Sequence, residues 1–452
     1  MTFARKFNRL FNLSFFIPLL VSAQVSVVKQ ENGFILMRNG APYYIKGVGG
    51  TVNMEFARSI GANSIRTWGI ERAGEILDEA HKNGLTVMLG LWLQHERHGF
   101  DYDDSAAVQN QFNHFKSVID TYKDHPALLL WGVGNEVDLN YTNPNVWYAV
   151  QQIARYIHET DPRHPTSTVT AGLDSMEVAY IRDRAPDIDI YGVNTYGDIA
   201  HVPADISRYG WNGPYMITEW GTNGYWESPL TPWKVSIEPT STQKKTDYVE
   251  RYRRYIEPFP ACLGSYAFLW GAKQEYTETW FGLFSKDNLP TEPVDALEYV
   301  FTGNHPAYPS PAIRSFELDR KVAGDGIRLK AGNRYEASVL SSFPAVANTS
   351  DTLSNEVLTY DWKVLAESED KKSGGDREAE ASRQHIRFRN KHSPLVSFVA
   401  PDSPGSYRLF VNVYGHGKVA YANIPFQVIP RSAEDGPARP VSFKHQKMEF
   451  IR

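Results

Sequence analysis

The sequence predicts a (β/α)8 TIM barrel followed by a C-terminal immunoglobulin-like β-sandwich. Three observations carry that expectation. Eight short apolar runs recur between residues 27 and 303 with helix-period stretches between them, a proline-rich break follows, and the remainder is strand-like with no helix of length. Runs that are apolar throughout suit parallel strands covered on both faces. Strands alternating with helices suit a sheet wrapped by helices, and the count of eight favours a closed barrel over an open doubly wound sheet.

In chain order, the predicted barrel strands are YYIKGVGG (43–50), NSIRTWG (63–69), LTVMLGLWL (85–93) and ALLLWGVGNE (127–136), then TSTVTAGL (166–173), DIDIYGVNTYG (187–197), YMITEWG (215–221) and SYAFLWG (265–271). Between them, Val108, Phe112, Phe115, Val118 and Tyr122 recur at helical steps, as do Val146, Val150, Ile153 and Ile157. These elements define a barrel domain over 24–303. NHPAYPSPAIR begins a linker over 304–315. The sandwich is expected over 316–430, where Tyr407, Leu409, Val411 and Val413 alternate with period two. Trp362 in YDWKV resembles the strand tryptophan of immunoglobulin-like sandwiches, here without a cysteine pair. SEDKKSGGDREAEASRQ (368–384) reads as a solvated loop, and 431–452 as a polar tail.

The 452 residues are 42% hydrophobic and 22% charged, an ordinary soluble composition, with a formal net charge of -5. No basic block occurs, so nucleic acid is not an expected partner. Arg5, Lys6 and Arg9 precede an apolar stretch ending in Val21-Ser22-Ala23, the pattern of a cleaved export signal over 1–23. It implies a secreted or periplasmic protein, bacterial in type, without membrane insertion once the signal is removed. Cys262 is the only cysteine, so no internal disulfide forms; it reads as a buried small hydrophobe. Aromatics make up 13%, including 11 Trp and 25 Tyr, and such rings cover the apolar faces of sugars as readily as they fill a core.

Chemistry in such a barrel sits at the C-terminal ends of the strands. Glu136 and Glu219 end the fourth and seventh runs, on one rim. Two carboxyl groups facing each other across a bowl are the equipment of glycoside hydrolysis: one protonates the leaving oxygen while the other attacks or activates water. That chemistry needs no cofactor and no metal, and neither is expected. HERHGFDYDD (95–104) has histidines three apart in a loop, which favours a polar or sugar-binding loop over a metal site. Glu275 and Glu278 follow the eighth run in a loop read as solvated or substrate-lining, and Asp138 reads as a loop hydrogen-bonder. Trp92, Trp211, Trp226, Trp233, Tyr276 and Trp280 fall on or near the reactive rim.

The motifs GNE (134–136) and TEWG (218–221) resemble those of clan A, the retaining glycoside hydrolases built on this barrel. The resemblance spans about 27–303 and implies Glu136 as acid/base and Glu219 as nucleophile. It implies further that Arg66 orients the nucleophile, that Tyr196 hydrogen-bonds it, and that Trp270 floors the sugar at the cleavage point. Asn135 is expected on the sugar 2-hydroxyl, a contact that strengthens toward the transition state. Domain order, length and both glutamate contexts are most similar to glycoside hydrolase family 158, which implies an endo-β-1,3-glucanase acting as a monomer on a polysaccharide or oligosaccharide. Alternatives in the same clan are a β-1,3-glucanosyltransferase, a β-mannanase or a cellulase. The alternative from another class is a non-catalytic glycan-binding protein, against which the presence of both glutamates counts.

Overall fold

The computed structural model describes residues 24–344 and 357–431. The export signal read over 1–23 lies outside the described residues, as does all of the polar tail except Arg431. Barrel strands β4 (Ile45–Gly49), β5 (Ser64–Arg66), β6 (Thr86–Leu91), β7 (Leu128–Val133), β8 (Thr166–Ala171), β9 (Ile190–Asn194), β10 (Tyr215–Trp220) and β11 (Cys262–Ala267) pair in sequence order. β11 returns to β4 through Gly264–Ile45 to Ala267–Val48, closing an all-parallel barrel. Each strand is followed by its helix. The first four are α1 (Met54–Ser59), α2 (Ala73–Lys82), α3 (Ser105–Tyr122) and α4 (Val146–Thr160). The others are α5 (Ser175–Arg184), α6 (Val202–Arg208), α7 (Ser241–Arg251) and α8 (Glu292–Thr302).

The apolar runs acquire a physical meaning here. Every residue of β6, β7, β10 and β11 is buried, because each strand has helices on one face and barrel interior on the other. Outward-facing side chains such as Leu89, Trp131, Val133 and Ile217 pack with Leu77, Ile119, Val150 and Ile157 of the helices. Inward-facing Met88, Leu130, Val169, Ile190, Met216 and Leu263 fill the interior. Filling the lower barrel leaves only the upper rim open to chemistry.

A small antiparallel sheet, which the sequence reading did not anticipate, plugs the opposite end. It comprises β1 (Val25–Gln30), β2 (Gly33–Arg38) and β3 (Ala41–Tyr43). Val25 and Leu36 join the interior cluster. The Val25 amide donates to Arg163 O and the Phe34 amide to Pro260 O, both at 2.8 Å and both just ahead of a barrel strand. Asn39-Gly40 makes the β2–β3 turn with φ of 51° and 78°, the left-handed pair that a two-residue hairpin requires.

β12 (Ala312–Leu318) starts inside the segment expected as linker and opens the sandwich. With β13 (Arg328–Lys330), β14 (Arg334–Ser342), β15 (Thr359–Ala366), β16 (Phe388–Arg389), β17 (Leu395–Val399), β18 (Gly405–Gly415) and β19 (Lys418–Ile429), it forms two four-stranded sheets, ordered β12-β14-β17-β16 and β13-β19-β18-β15. Trp362 is fully buried between them and donates its indole N–H to Ser393 O at 3.0 Å.

The sandwich is docked tightly on the barrel. Lys244 of α7 is buried, with Nζ 2.6 Å from Glu238 Oε1, 2.8 Å from the carbonyls of Thr279 and Trp280, and 3.2 Å from Tyr421 Oη of β19. Asn423 donates to the other Glu238 oxygen at 2.6 Å. Burial opposes the charge of Glu238, yet Lys244 and the surrounding donors outweigh it and hold the carboxyl below its ordinary range. Lys418 adds an ion pair to Asp295 at 2.6 Å. Glu278 corrects one expectation: it is buried, paired with Lys286 at 3.3 Å and with Lys363 of the sandwich, so this loop is a domain seam rather than a solvated one. Removing one partner of a buried pair leaves the other charge uncompensated. Lys244→Met therefore costs about 3–5 kcal/mol in a urea denaturation series; a loss below about 1 kcal/mol contradicts the paired arrangement.

Candidate active site

The site is assembled from strand ends. Arg66 is the last residue of β5 and is 1% exposed. Its Nη1 donates to Glu219 Oε1 at 3.1 Å, to Thr218 O at 2.6 Å and to Asn194 Oδ1 at 3.2 Å. Its Nη2 donates to Asn135 Oδ1 at 2.5 Å. One guanidinium thus ties together the ends of β7, β9 and β10. Its planar fork of donors can serve several acceptors at once, which an ammonium on a flexible stem does less well.

Glu219, the penultimate residue of β10, receives two further donors. The Trp68 indole N–H reaches Oε1 at 2.7 Å and the Tyr196 hydroxyl reaches Oε2 at 3.1 Å. Both oxygens are therefore fixed. Burial, and then the neighbouring Glu219 charge, push the Tyr196 hydroxyl well above the ordinary tyrosine range, so it stays a proton donor.

Glu136 lies beyond the end of β7, where Gly134 (φ 81°) and Glu136 itself (φ 48°) take left-handed backbone conformations. This reversal is uncommon for a residue with a side chain and turns the carboxyl back over the barrel mouth. The Glu136 amide donates to Val169 O at 2.9 Å, and its Oε1 accepts from Asn194 Nδ2 at 2.8 Å. Burial and then the Glu219 charge push the Glu136 carboxyl up to about 7, against the opposing effects of Asn194 and Arg66. The two carboxyl groups thus stand in different surroundings, Glu136 raised by burial and by its neighbour and Glu219 paired with arginine.

Both glutamates line one cavity of about 910 Å³. Asn135 also lines it; its Oδ1 is taken up by Arg66 and, at 3.2 Å, by Asn194. His95 donates Nε2–H to Asn135 O at 2.7 Å, and burial holds its imidazole down to about 4, hence neutral. Asp138 accepts from the Ala171 amide at 3.0 Å. Trp92 is half-buried on the cavity wall, 4.6 Å from the His95 ring. Trp226 is exposed on that wall beside Tyr225. Tyr276 stacks behind Tyr225 at 4.8 Å, with Trp280 buried behind both; Trp211 and Trp233 do not line the cavity.

Two placements, those of Trp270 and of residues 373–375, differ from expectation. Trp270 does not floor the cavity. β11 ends at Ala267, and the chain beyond it carries the indole outward against Phe56 and Phe284, where Nε1–H donates to Val52 O at 2.5 Å. Phe268 and Leu269 line the cavity in its place. Glu275 is buried on the cavity wall in an ion pair with Lys273 at 2.9 Å, and burial raises its carboxyl. Residues 373–375, in the segment expected to be solvated, also line the cavity. Trp68 and Asn194 were missed. Trp68 stands two residues past Arg66 in the same predicted run, and Asn194 two before Tyr196, so strand alternation pointed to both.

Residues 55–227 match the sequence model of the glycosyl hydrolases family 2 TIM barrel domain. β-Glucuronidase of Chlorocebus aethiops is 24% identical over 193 residues, covering 38% of this chain and 27% of that protein. A 1,3-β-glucanosyltransferase of Saccharomyces cerevisiae is 26% identical over 202 residues, 40% of this chain and 35% of that protein. Mannan endo-1,4-β-mannosidase F of Aspergillus clavatus is 22% identical over 198 residues, 36% of this chain and 45% of that protein. Among solved structures, an FMN-binding β-glucuronidase from Facaelibacterium prausnitzii L2-6 superposes with a TM-score of 0.50 at 14% identity, over 90% of this chain and 59% of that one, a likeness of fold alone. The matched segments span less than half the length of these curated relatives. The matches support a glycoside hydrolase barrel of clan A. They do not support the narrower placement in family 158, since the sequence model that fits is that of family 2.

Proposed function

We propose that this protein is a retaining β-glycosidase that cleaves β-1,3-glucan internally, acting outside the cytoplasm as the signal read over 1–23 implies. One observation carries the reading. A glutamate clamped by Arg66, Trp68 and Tyr196 shares a cavity with a second glutamate whose carboxyl is raised to about 7. Glu219 attacks the anomeric carbon as the glycosidic C–O bond breaks, and Glu136 passes its proton to the leaving oxygen. The ester on Glu219 is then hydrolysed by water that Glu136 deprotonates, which restores both carboxyl groups and the original anomeric configuration. Neutralising Glu219 in the ester removes the charge that raised Glu136, which suits its change from acid to base. Asn135, its Oδ1 occupied, presents its amide hydrogens to the sugar 2-hydroxyl. Trp68 and Phe268, edge-to-face at 5.8 Å, form the apolar floor beneath the sugar.

The choice of β-1,3-glucan draws on the 1,3-β-glucanosyltransferase relative and on a cavity at the upper end of the ~300–1,000 Å³ range of small-ligand sites. That relative also favours a second reading, in which a sugar hydroxyl replaces water as the acceptor. Reducing-end release from laminarin, against transfer products on a laminari-oligosaccharide ladder, separates the two.

Glu136 must hold a proton to act as acid. Its raised carboxyl is protonated below about pH 7 and loses the proton above it. On laminarin, kcat/KM therefore falls about tenfold per pH unit above roughly pH 7. A 2,4-dinitrophenyl β-glucoside, whose leaving group needs no acid, keeps its kcat/KM in Glu136→Gln and shows no such limb, while its kcat falls because hydrolysis of the ester has lost its base. Glu219→Ala lowers kcat on the order of 10⁴-fold or more, and azide restores turnover with an α-glycosyl azide product. Loss of activity in Glu275→Ala together with an active Glu219→Ala contradicts the assignment.

A further inference from the structure

The β15–β16 connection of the sandwich reaches into the cavity, and its anchors fall on opposite sides of the barrel. On one side, Asp376 pairs with Arg97 at 3.3 Å and with His98 at 2.9 Å, both in the loop after β6. Gly374 meets Leu139 of the loop after β7. On the other side, Tyr225 after β10 donates its hydroxyl to Lys372 O at 2.8 Å. After β11, Lys273 Nζ donates to Gly375 O and the Tyr276 amide donates to Glu378 Oε2 at 2.6 Å. In the closed order β4 to β11, strands β6 and β7 stand across the barrel from β10 and β11. The segment 371–378 is therefore a strap over the barrel mouth.

The left-handed backbone at the midpoint of the strap favours glycine. Gly374 and Gly375 have φ of 62° and 70°, and a Cβ on them would lie 2.6 Å from the Leu139 side chain and 2.7 Å from Lys273 Nζ, respectively. Ser373, beside them, lines the cavity and is exposed. The cavity is also uneven about the strap. Leu173 after β8, and Asp198, His201 and Tyr209 after β9, line one flank, whereas Trp68 is the lining residue from the β4–β5 flank.

We propose that this strap is a specificity determinant: a wall supplied by the sandwich that closes the cavity on the β4–β5 flank and limits the glycosyl units held in that direction. The glycan extends instead over the β8–β9 flank. This rests on the catalytic reading above. It makes the sandwich part of the substrate site rather than a detached accessory module.

The test is a ratio of kcat/KM, laminarihexaose over an aryl β-laminaribioside, for wild type, Ser373→Trp and Asp376→Ala. Added bulk in Ser373→Trp lowers the ratio tenfold or more. Asp376→Ala, which frees the strap from Arg97 and His98, raises it and broadens the product ladder. A purely structural tether changes the melting temperature and scales both substrates together, so a ratio within twofold of wild type in both variants overturns the proposal. Wild-type protein that turns over no β-glucan overturns the catalytic reading and the strap with it, whereas active wild type with an invariant ratio overturns the strap alone.

Discussion

The buried guanidinium of Arg66 is the constraint on which the rest of the site depends. It is desolvated, and burial opposes its charge; Glu219 and then Glu136 offset that cost. In return it fixes, through four acceptors, the relative positions of strand ends that are distant in sequence. Asn194 extends the network, accepting from Arg66 and from the Thr218 hydroxyl at 2.8 Å and donating to Glu136. The two glutamates are thus coupled through a single polar chain. Such a network is stable only when nearly all of its members are satisfied; both guanidinium Nη atoms of Arg66 are engaged, while its Nε and the Nδ1 of His95 are buried without a partner.

The barrel beneath has a complementary duty. The apolar interior, sealed from below by β1–β3, excludes water from the underside of the rim. The low-polarity surroundings raise Glu136, while Glu219 keeps its three donors. From above and to one side, the sandwich completes the enclosure. Tyr421 and Asn423, bonded to the buried Lys244–Glu238 pair of the barrel, hold it in register, and the strap converts that register into cavity shape. Stability of the seam and geometry of the site are consequently linked, although the residues involved are separate.

Much of this was legible in the sequence, for identifiable reasons. Fully buried parallel strands carry a signal in uniform apolarity, and polar residues at their ends stand out against it; Arg66, Asn135, Glu136 and Glu219 are all visible that way. Trp270 lies away from its expected place because the apolar run 265–271 overlaps only the end of the strand, which begins at Cys262 and ends at Ala267, before the tryptophan. The β1–β3 sheet was passed over despite its Asn-Gly turn, since three short strands do not alter a repeating pattern. The strap was the least legible element. Its charged composition is that of a solvated loop, and only docking across the barrel mouth gives it another use; the Gly374-Gly375 pair was its one local sign.

The central claim is that Glu219 forms the covalent bond while Glu136 manages the proton. The most direct measurement is to inactivate the protein with 2-deoxy-2-fluoro-β-laminaribiosyl fluoride and to map the labelled peptide by mass spectrometry. The account predicts a single stoichiometric ester on Glu219, released on transfer to an acceptor sugar. A label on Glu136 or Glu275 instead, or turnover of laminarin with inversion and no label at all, would contradict it.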